Sequence, residues 1–147
     1  MTSALIVYGS STGNTEHAAS VIEKTLQQAG VQTTKTEASQ VKPEGLCLPY
    51  DFIFFGSSTW GYDEVELQDD FIALFDAFEK IGAKGKSTAV FGCGDSDYPN
   101  FCGAVDLISK RLTELGAKVG EGLKIDGPPE NEEEEIVRWT QKTAGLA

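Results

Sequence analysis

The feature that most constrains the fold is an alternation of short apolar runs with longer segments of helical periodicity. Residues 4–8 form an apolar, β-branched run, which predicts a buried strand. From residue 14 the apolar positions recur with helical spacing as far as Gly30, which predicts a helix that lays one face on a sheet. The alternation repeats through five units. It predicts an α/β fold, with a five-stranded parallel sheet covered by helices on both faces.

The remaining elements follow the same pattern. Residues 31–37 alternate with Thr and Lys, which predicts an edge strand, whereas residues 51–56 are apolar on both faces, as in a central strand. Further strands and helices are predicted, in chain order, at residues 66–81 (helix), 88–92 (strand), 104–115 (helix), 117–126 (strand, weakened by Gly120 and Gly122) and 130–139 (helix). A chain of 147 residues without a linker is expected to be one domain, residues 1–147.

Charge and cysteine content restrict the function. The chain has 12 Lys and Arg against 23 Asp and Glu, a net charge of −11, which argues against nucleic acid or an anionic membrane surface and favours basic protein partners. No apolar run approaches the roughly 20 residues of a membrane span, and the N-terminus lacks a signal-peptide pattern. Three cysteines without a C-x-x-C pair, beside a single His, disfavour disulfides and zinc. A cytoplasmic protein is expected.

Three predicted loops leave the carboxyl ends of strands, where open α/β sheets bind ligands: residues 9–15, 57–65 and 93–103. The first is rich in glycine and hydroxyl side chains and leads into a helix, whose N-terminal N–H groups and dipole favour an anion. No Lys or Arg lies between Met1 and Lys24, so a phosphate there would be stabilised by dipoles alone. The alternative is a capped helix start with its hydroxyls facing water.

Other chemistries fit the first loop poorly. The Lys of a P-loop and the G-x-G-x-x-G dinucleotide fingerprint are both missing. The nucleophile-elbow pattern G-x-S-x-G does match and would make Ser11 a hydrolase nucleophile, but the single His, His17, lies on the helix leading away. A phosphorylated receiver domain would need an Asp at the end of the third strand, where this chain has Gly56, Ser57 and Ser58.

The second and third loops carry Trp60 and Tyr98 beside glycines, where they could stack on the two faces of a flat ring. Together the segments Ser10-Ser11-Thr12-Gly13-Asn14-Thr15, Ser58-Thr59-Trp60-Gly61 and Cys93-Gly94-Asp95 with Tyr98 resemble those of short-chain flavodoxins, and the resemblance covers the whole chain. It implies the flavodoxin-like strand order 2-1-3-4-5, for which flavodoxin itself is the standard example. It also implies a monomer that carries single electrons on non-covalent FMN and turns over no substrate of its own.

The resemblance assigns each segment a part in FMN binding. Residues 10–15 would hold the 5′-phosphate, Trp60 and Tyr98 would cover the ring faces, and backbone groups of the third loop would meet the pyrimidine edge, so that Cys93 and Cys102 are not redox thiols. Tyr62 is a departure, because some relatives have an acidic residue there. The predicted FMN-binding residues are Ser10, Ser11, Thr12, Gly13, Asn14, Thr15, Ser58, Thr59, Trp60, Gly61, Tyr62, Cys93, Gly94, Asp95, Tyr98, Phe101 and Cys102.

The same residues suggest how the two one-electron reduction steps of FMN would occur at different potentials. The Gly61 peptide can flip, so that its carbonyl accepts the N5–H of the neutral semiquinone, and an acidic surround would oppose the anionic hydroquinone. A low-potential carrier that cycles mainly between these two states is predicted. Its expected partners are basic redox proteins, such as cytochromes and flavin or iron–sulfur oxidoreductases. The alternative is an FMN-dependent quinone or nicotinamide oxidoreductase, which would need additional loops.

Overall fold

The computed structural model describes residues 3–9, 13–57, 59–60, 66–67, 69–94, 103–126 and 129–144. In chain order its elements are β1 (Ser3–Gly9), α1 (Asn14–Gln28), β2 (Gln32–Glu37), β3 (Phe52–Ser57), β4 (Thr59–Trp60), β5 (Glu66–Leu67), α2 (Asp69–Asp76), β6 (Ser87–Gly94), α3 (Gly103–Glu114), β7 (Lys118–Val119), β8 (Leu123–Asp126) and α4 (Glu133–Thr143). Short 3-10 helices occupy Ala38–Gln40, Phe78–Lys80 and Pro129–Asn131.

The main sheet is parallel, with the order β2-β1-β3-β6-β7, and β8 also pairs with β6. Because β7 and β8 lie on the same side of β6, they are two parts of one fifth strand, and the predicted order 2-1-3-4-5 is confirmed. The strand is interrupted between them. There the Gly120 N–H still donates to the Thr88 carbonyl (2.9 Å), whereas the Glu121 carbonyl accepts from the Trp139 indole (2.7 Å).

Helices cover both faces of the sheet, as the alternation predicts, because alternate residues of each strand point to opposite sides. On one face the sheet packs against α1 and α4, through Ala4, Ile6, Ala18, Ala19, Ile22, Leu26, Ile136 and Trp139. On the other face the sheet packs against α2 and α3, through Leu5, Val7, Phe71, Leu74, Ala104, Val105, Ile108 and Leu112. β3 is central and buried on both faces, and β2 is at the edge, both as predicted.

The predicted helix over residues 66–81 is wrong at both ends. Glu66 and Leu67 form β5, which pairs antiparallel with β4, and α2 runs only from Asp69 to Asp76 before the 3-10 helix. Leu67 lies four residues before Phe71, so its spacing fits a helical face equally well. Pairing with Thr59 decides the outcome instead, and periodicity within the segment carries no trace of that contact.

The last helix also differs from its prediction. It begins at Glu133 rather than residue 130, because Pro129–Asn131 forms a 3-10 turn first, and it continues beyond Trp139 to Thr143. Its first turn carries Glu133, Glu134 and Glu135, as expected for acids that complement a helix dipole. Among the described residues, no helix combines the length and the apolar character that crossing a bilayer requires.

Candidate functional site

The carboxyl ends of the strands meet at one edge of the sheet. Gly9, the last residue of β1, lies in register with Ser57, the last residue of β3. Farther along the same edge, the end of β6 pairs with the end of β8, where Gly94 faces Asp126. The chain therefore leaves β1, β3 and β6 side by side, and the three loops singled out from the sequence start next to one another, as expected for an open α/β sheet.

The start of α1 lies directly behind the first of these loops. Gly13 is the residue before the helix and adopts φ 90°, a left-handed conformation that a side chain disfavours. A Cβ added there would meet no atom within 4 Å, so backbone conformation alone requires glycine. The first helical hydrogen bond runs from the His17 N–H to the Gly13 carbonyl (2.9 Å). The N–H groups of residues 14–16 therefore precede the helical ladder, as in anion-binding helix starts.

The end of β6 supplies backbone rather than side-chain chemistry. Cys93 is only 5% exposed and packs on the α1 and α4 face of the sheet, in the same cluster as Phe91 and Ile125. Its thiol is therefore turned into the core, while its backbone pairs in register with Ile125. This placement agrees with the interpretation of Cys93 as a backbone contact and not a redox thiol.

Negative charge gathers near this edge. Tyr8, one residue before the end of β1, is 5% exposed and lies in register with Glu37 at the end of β2. Burial first, and then repulsion from Glu16, Glu37 and Glu23, raises the pKa of Tyr8 above its ordinary value. Glu16 and Glu37 thus place negative charge near this buried phenol. Lys35, 3.7 Å from Glu23, offsets part of it.

His17 is engaged away from the loops. Its Nε2 lies 3.3 Å from Oε2 of Glu133, the first residue of α4, and both side chains are partly exposed. The pair ties the first turn of α1 to the first turn of α4. A hydrolase that used Ser11 would need this imidazole as its base, but Ser11 lies outside the described residues, and a contact with a carboxylate does not by itself assign His17 to that role.

A cavity of about 380 Å³ lies at the start of α4, lined by Glu130, Asn131, Glu132, Glu133, Glu134, Glu135 and Arg138. Five carboxylates against one guanidinium make this lining unsuitable for a phosphate. The start of α1 has one carboxylate in its first turn, Glu16, and therefore opposes an anion less than this cavity does.

The structure describes part of the predicted binding set. Gly13, Asn14 and Thr15 lie at the start of α1, Thr59 and Trp60 form β4 at the end of β3, and Cys93 and Gly94 end β6, so all three segments are brought to one edge. The rest of the set lies outside the described residues: Ser10, Ser11, Thr12, Ser58, Gly61, Tyr62, Asp95, Tyr98, Phe101 and Cys102.

Two acidic residues at this edge are not among the predicted site residues. Glu37 ends β2 beside Tyr8, and Asp126 ends β8 beside Gly94 and is exposed. The prediction considered only the loops rich in glycine and aromatics. Since every parallel strand ends at the same edge, the last residues of the second and fifth predicted strands were the signal that could have identified both carboxylates.

Comparisons with known proteins agree with this arrangement. Residues 6–139 match the profile of the family described as Flavodoxin. A flavodoxin from Maridesulfovibrio salexigens is 50% identical over 140 residues, which cover 95% of this chain and 94% of that protein. Among solved structures, oxidised flavodoxin 1 from Bacillus cereus is 33% identical with a TM-score of 0.87, and 99% of each chain is covered. Flavodoxin from Fusobacterium nucleatum, bound to flavin mononucleotide, shares the fold at 17% identity, with a TM-score of 0.81 over 99% of this chain and 98% of that one.

Proposed function

The chain belongs to the flavodoxin family of low-potential electron carriers that bind FMN, and on that premise we propose that FMN binds at the carboxyl end of this sheet. The observation that carries the proposal is the meeting of the β1, β3 and β6 ends beside the start of α1. The binding unit in this proposal is the whole chain, residues 1–147, acting as a monomer.

The residues at the start of α1 fit the phosphate of FMN. They offer backbone N–H groups ahead of the helical ladder and the positive end of a 15-residue helix dipole, with no lysine or arginine among residues 1–23. Glu16, in the first turn, repels an anion, so the backbone N–H groups and the helix dipole must offset that repulsion. Further hydroxyl and amide donors in the proposal come from Ser10, Ser11, Thr12, Asn14 and Thr15.

The flavin ring lies between the other two segments in this proposal. Trp60 and Tyr98 stack on its faces. The Trp60 backbone belongs to a two-stranded ribbon, paired with Glu66, and this pairing restrains the residue that carries the indole. Backbone groups of the third segment meet the polar edge, in keeping with the buried Cys93 thiol. The proposed ring contacts are Ser58, Thr59, Trp60, Gly61, Tyr62, Cys93, Gly94, Asp95, Tyr98, Phe101 and Cys102.

FMN, when bound, supplies the capacity to accept and release electrons one at a time. We propose that this chain uses mainly the semiquinone–hydroquinone couple. The Gly61 carbonyl would accept a hydrogen bond from the flavin N5–H, a donor that the oxidised ring lacks. Asp126 is exposed at this edge, and Glu16 and Glu37 add, after burial, to the raised pKa of Tyr8, so these carboxylates would oppose a further negative charge on bound flavin. No Lys or Arg occurs in residues 43–79 or 87–109 to compensate for that charge, so the second potential is lowered.

Redox proteins with a basic docking surface are the proposed partners, among them cytochromes and flavin or iron–sulfur oxidoreductases. A net charge of −11 attracts such partners over a distance and yields transient, salt-sensitive complexes. We also propose a reducing, cytoplasmic location. The described cysteines, Cys47 and Cys93, are buried thiols outside any disulfide, which supports it.

Reconstitution with FMN tests the proposed site. One equivalent of flavin-free protein should quench the fluorescence of FMN. Tyr98→Ala should weaken FMN binding by about tenfold, because the ring loses one of its two stacking partners. Tyr50→Ala is a matched control. Tyr50 precedes β3 at the opposite, amino edge, where the Asp51 N–H donates to the Ser3 carbonyl. Absence of FMN binding by the wild type would overturn the proposal. An equal loss of FMN affinity in Tyr98→Ala and Tyr50→Ala would show that the ring does not stack on Tyr98.

A further inference from the structure

Val105, the third residue of α3, is held between two strands. It is 2% exposed and packs on the sheet at the point where β6 lies beside β8. A Cβ added to Gly92 would come within 3.0 Å of Val105 Cγ2, and one added to Gly122 within 2.6 Å of Val105 Cγ1. The Gly92 position is closed first by the Ser57 carbonyl oxygen, 2.6 Å from that Cβ, and the two methyl groups of Val105 border both positions.

A second contact joins the same turn of α3 to the same strand. The Lys124 ammonium on β8 lies 2.7 Å from Oδ2 of Asp106, the residue after Val105. Both side chains are substantially exposed, so this pair contributes little by itself. The buried valine, with the Gly92 backbone beneath one methyl and the Gly122 backbone beneath the other, is among the core contacts that fix where α3 begins on the sheet.

The chain between β6 and α3 starts and ends at fixed points. It leaves from Gly94, paired with Asp126, and enters α3 at Gly103, two residues before Val105. The connection, residues 95–102, carries the proposed ring contacts Asp95, Tyr98, Phe101 and Cys102. We propose that Val105, seated between Gly92 and Gly122, is a positioning residue that sets where this connection holds the flavin ring. The inference rests on the proposed function, because the ring site is part of it.

Gly122→Ala tests the contact between Val105 and the Gly122 backbone with the smallest change. The added methyl collides with Val105 and should shift the start of α3, thereby raising the Kd for FMN by about tenfold. The Kd for riboflavin, which lacks the phosphate, should rise by the same factor because the change affects the ring and not the phosphate. Gly120→Ala is the matched control, since its methyl would lie 3.2 Å from Thr143 Cγ2 on α4, away from α3. Its Kd for both flavins should stay within about twofold of wild type.

A double-mutant cycle separates positioning from a general loss of stability. Val105→Ala removes the methyl groups that the new side chain at position 122 would meet. Adding Gly122→Ala to this variant should therefore change the flavin Kd by less than about threefold. Val105→Ala alone should raise the Kd for both flavins by about fivefold or more, and it serves as the test if Gly122→Ala does not fold. Urea unfolding of the flavin-free variants gives the stability of each one independently of its affinity for flavin.

The outcomes distinguish this inference from the proposed function. If the wild type and Gly120→Ala bind no FMN, the proposed function fails. If they bind it while both Val105→Ala and Gly122→Ala lower the urea midpoint and leave the riboflavin Kd at the wild-type value, Val105 is merely structural and the inference is overturned. A loss confined to FMN, with riboflavin unaffected, also overturns it. Parallel losses for both flavins, suppressed in the double variant, support it.

Discussion

Gly13 and Gly30 offer a matched pair of substitutions at the two ends of α1. Gly13 precedes the helix with φ 90°, Gly30 follows it with φ 84°, and an added Cβ meets no atom within 4 Å at either position. Alanine in the left-handed region costs about 1–2 kcal/mol, offset by about 0.5–1 kcal/mol because the unfolded chain loses entropy. Each Gly→Ala variant of the flavin-free protein should therefore unfold with a free energy about 1 kcal/mol lower than that of the wild type.

The two variants should differ only in phosphate binding. If the backbone of the Gly13→Ala variant relaxes toward negative φ, the N–H groups at the start of α1 turn away from the phosphate. Losing one charge-assisted hydrogen bond, about 1.5–3 kcal/mol, raises the Kd for FMN by roughly 10- to 100-fold. The Kd for riboflavin should not change. Fluorescence titration with both flavins measures the ratio of the two Kd values. If Gly13→Ala and Gly30→Ala give the same ratio, the phosphate does not bind at the start of α1 and the reasoning is refuted.

Three further predictions concern pH, the first electron and the partners. Burial raises the pKa of Cys47 from 9.0 to about 12, so stability present below pH 9 should fall by up to about 4 kcal/mol by pH 12; Cys47→Ala should lack this decline in urea midpoints, and equal slopes would argue against it. Gly61→Ala should lower the first reduction potential by about 40 mV, or roughly 1 kcal/mol, in an equilibrium titration, and an unchanged potential would show that the Gly61 carbonyl is not the acceptor for the flavin N5–H. Stopped-flow electron transfer to a lysine-rich cytochrome should slow by about tenfold from roughly 10 to 200 mM salt, whereas a rate independent of salt would rule out steering.

The sequence predicts most of the sheet because burial imposes a local pattern. β3 is apolar on both faces since helices cover both sides of it, and β2 carries Thr and Lys because it is at the edge. Gly30 ends α1 by supplying a conformation that other residues disfavour, and that signal is local as well. The strand order has another source: its prediction depends on the resemblance to a known family, because periodicity does not indicate which strands are neighbours.

The features that the sequence did not predict depend on contacts between distant residues. β5 exists because it pairs with β4, and the fifth strand is interrupted where the Trp139 indole binds the Glu121 carbonyl. His17 contacts Glu133, 116 residues away, and nothing in either local segment announces the other. At the candidate site, the helix start behind Gly13 was predictable from the local glycines and hydroxyls, whereas the packing of Val105 depends on Cβ positions that only the folded backbone defines.

The central claim is that this chain carries single electrons on FMN, and anaerobic stepwise reduction of the reconstituted protein tests it most directly. Absorbance should show the yellow protein turning blue as the first electron is added and then bleaching with the second, since the first reduced form is stabilised and the second is opposed by negative charge. Bleaching in one two-electron step, with no blue form at any point, would contradict the account and favour a flavin oxidoreductase.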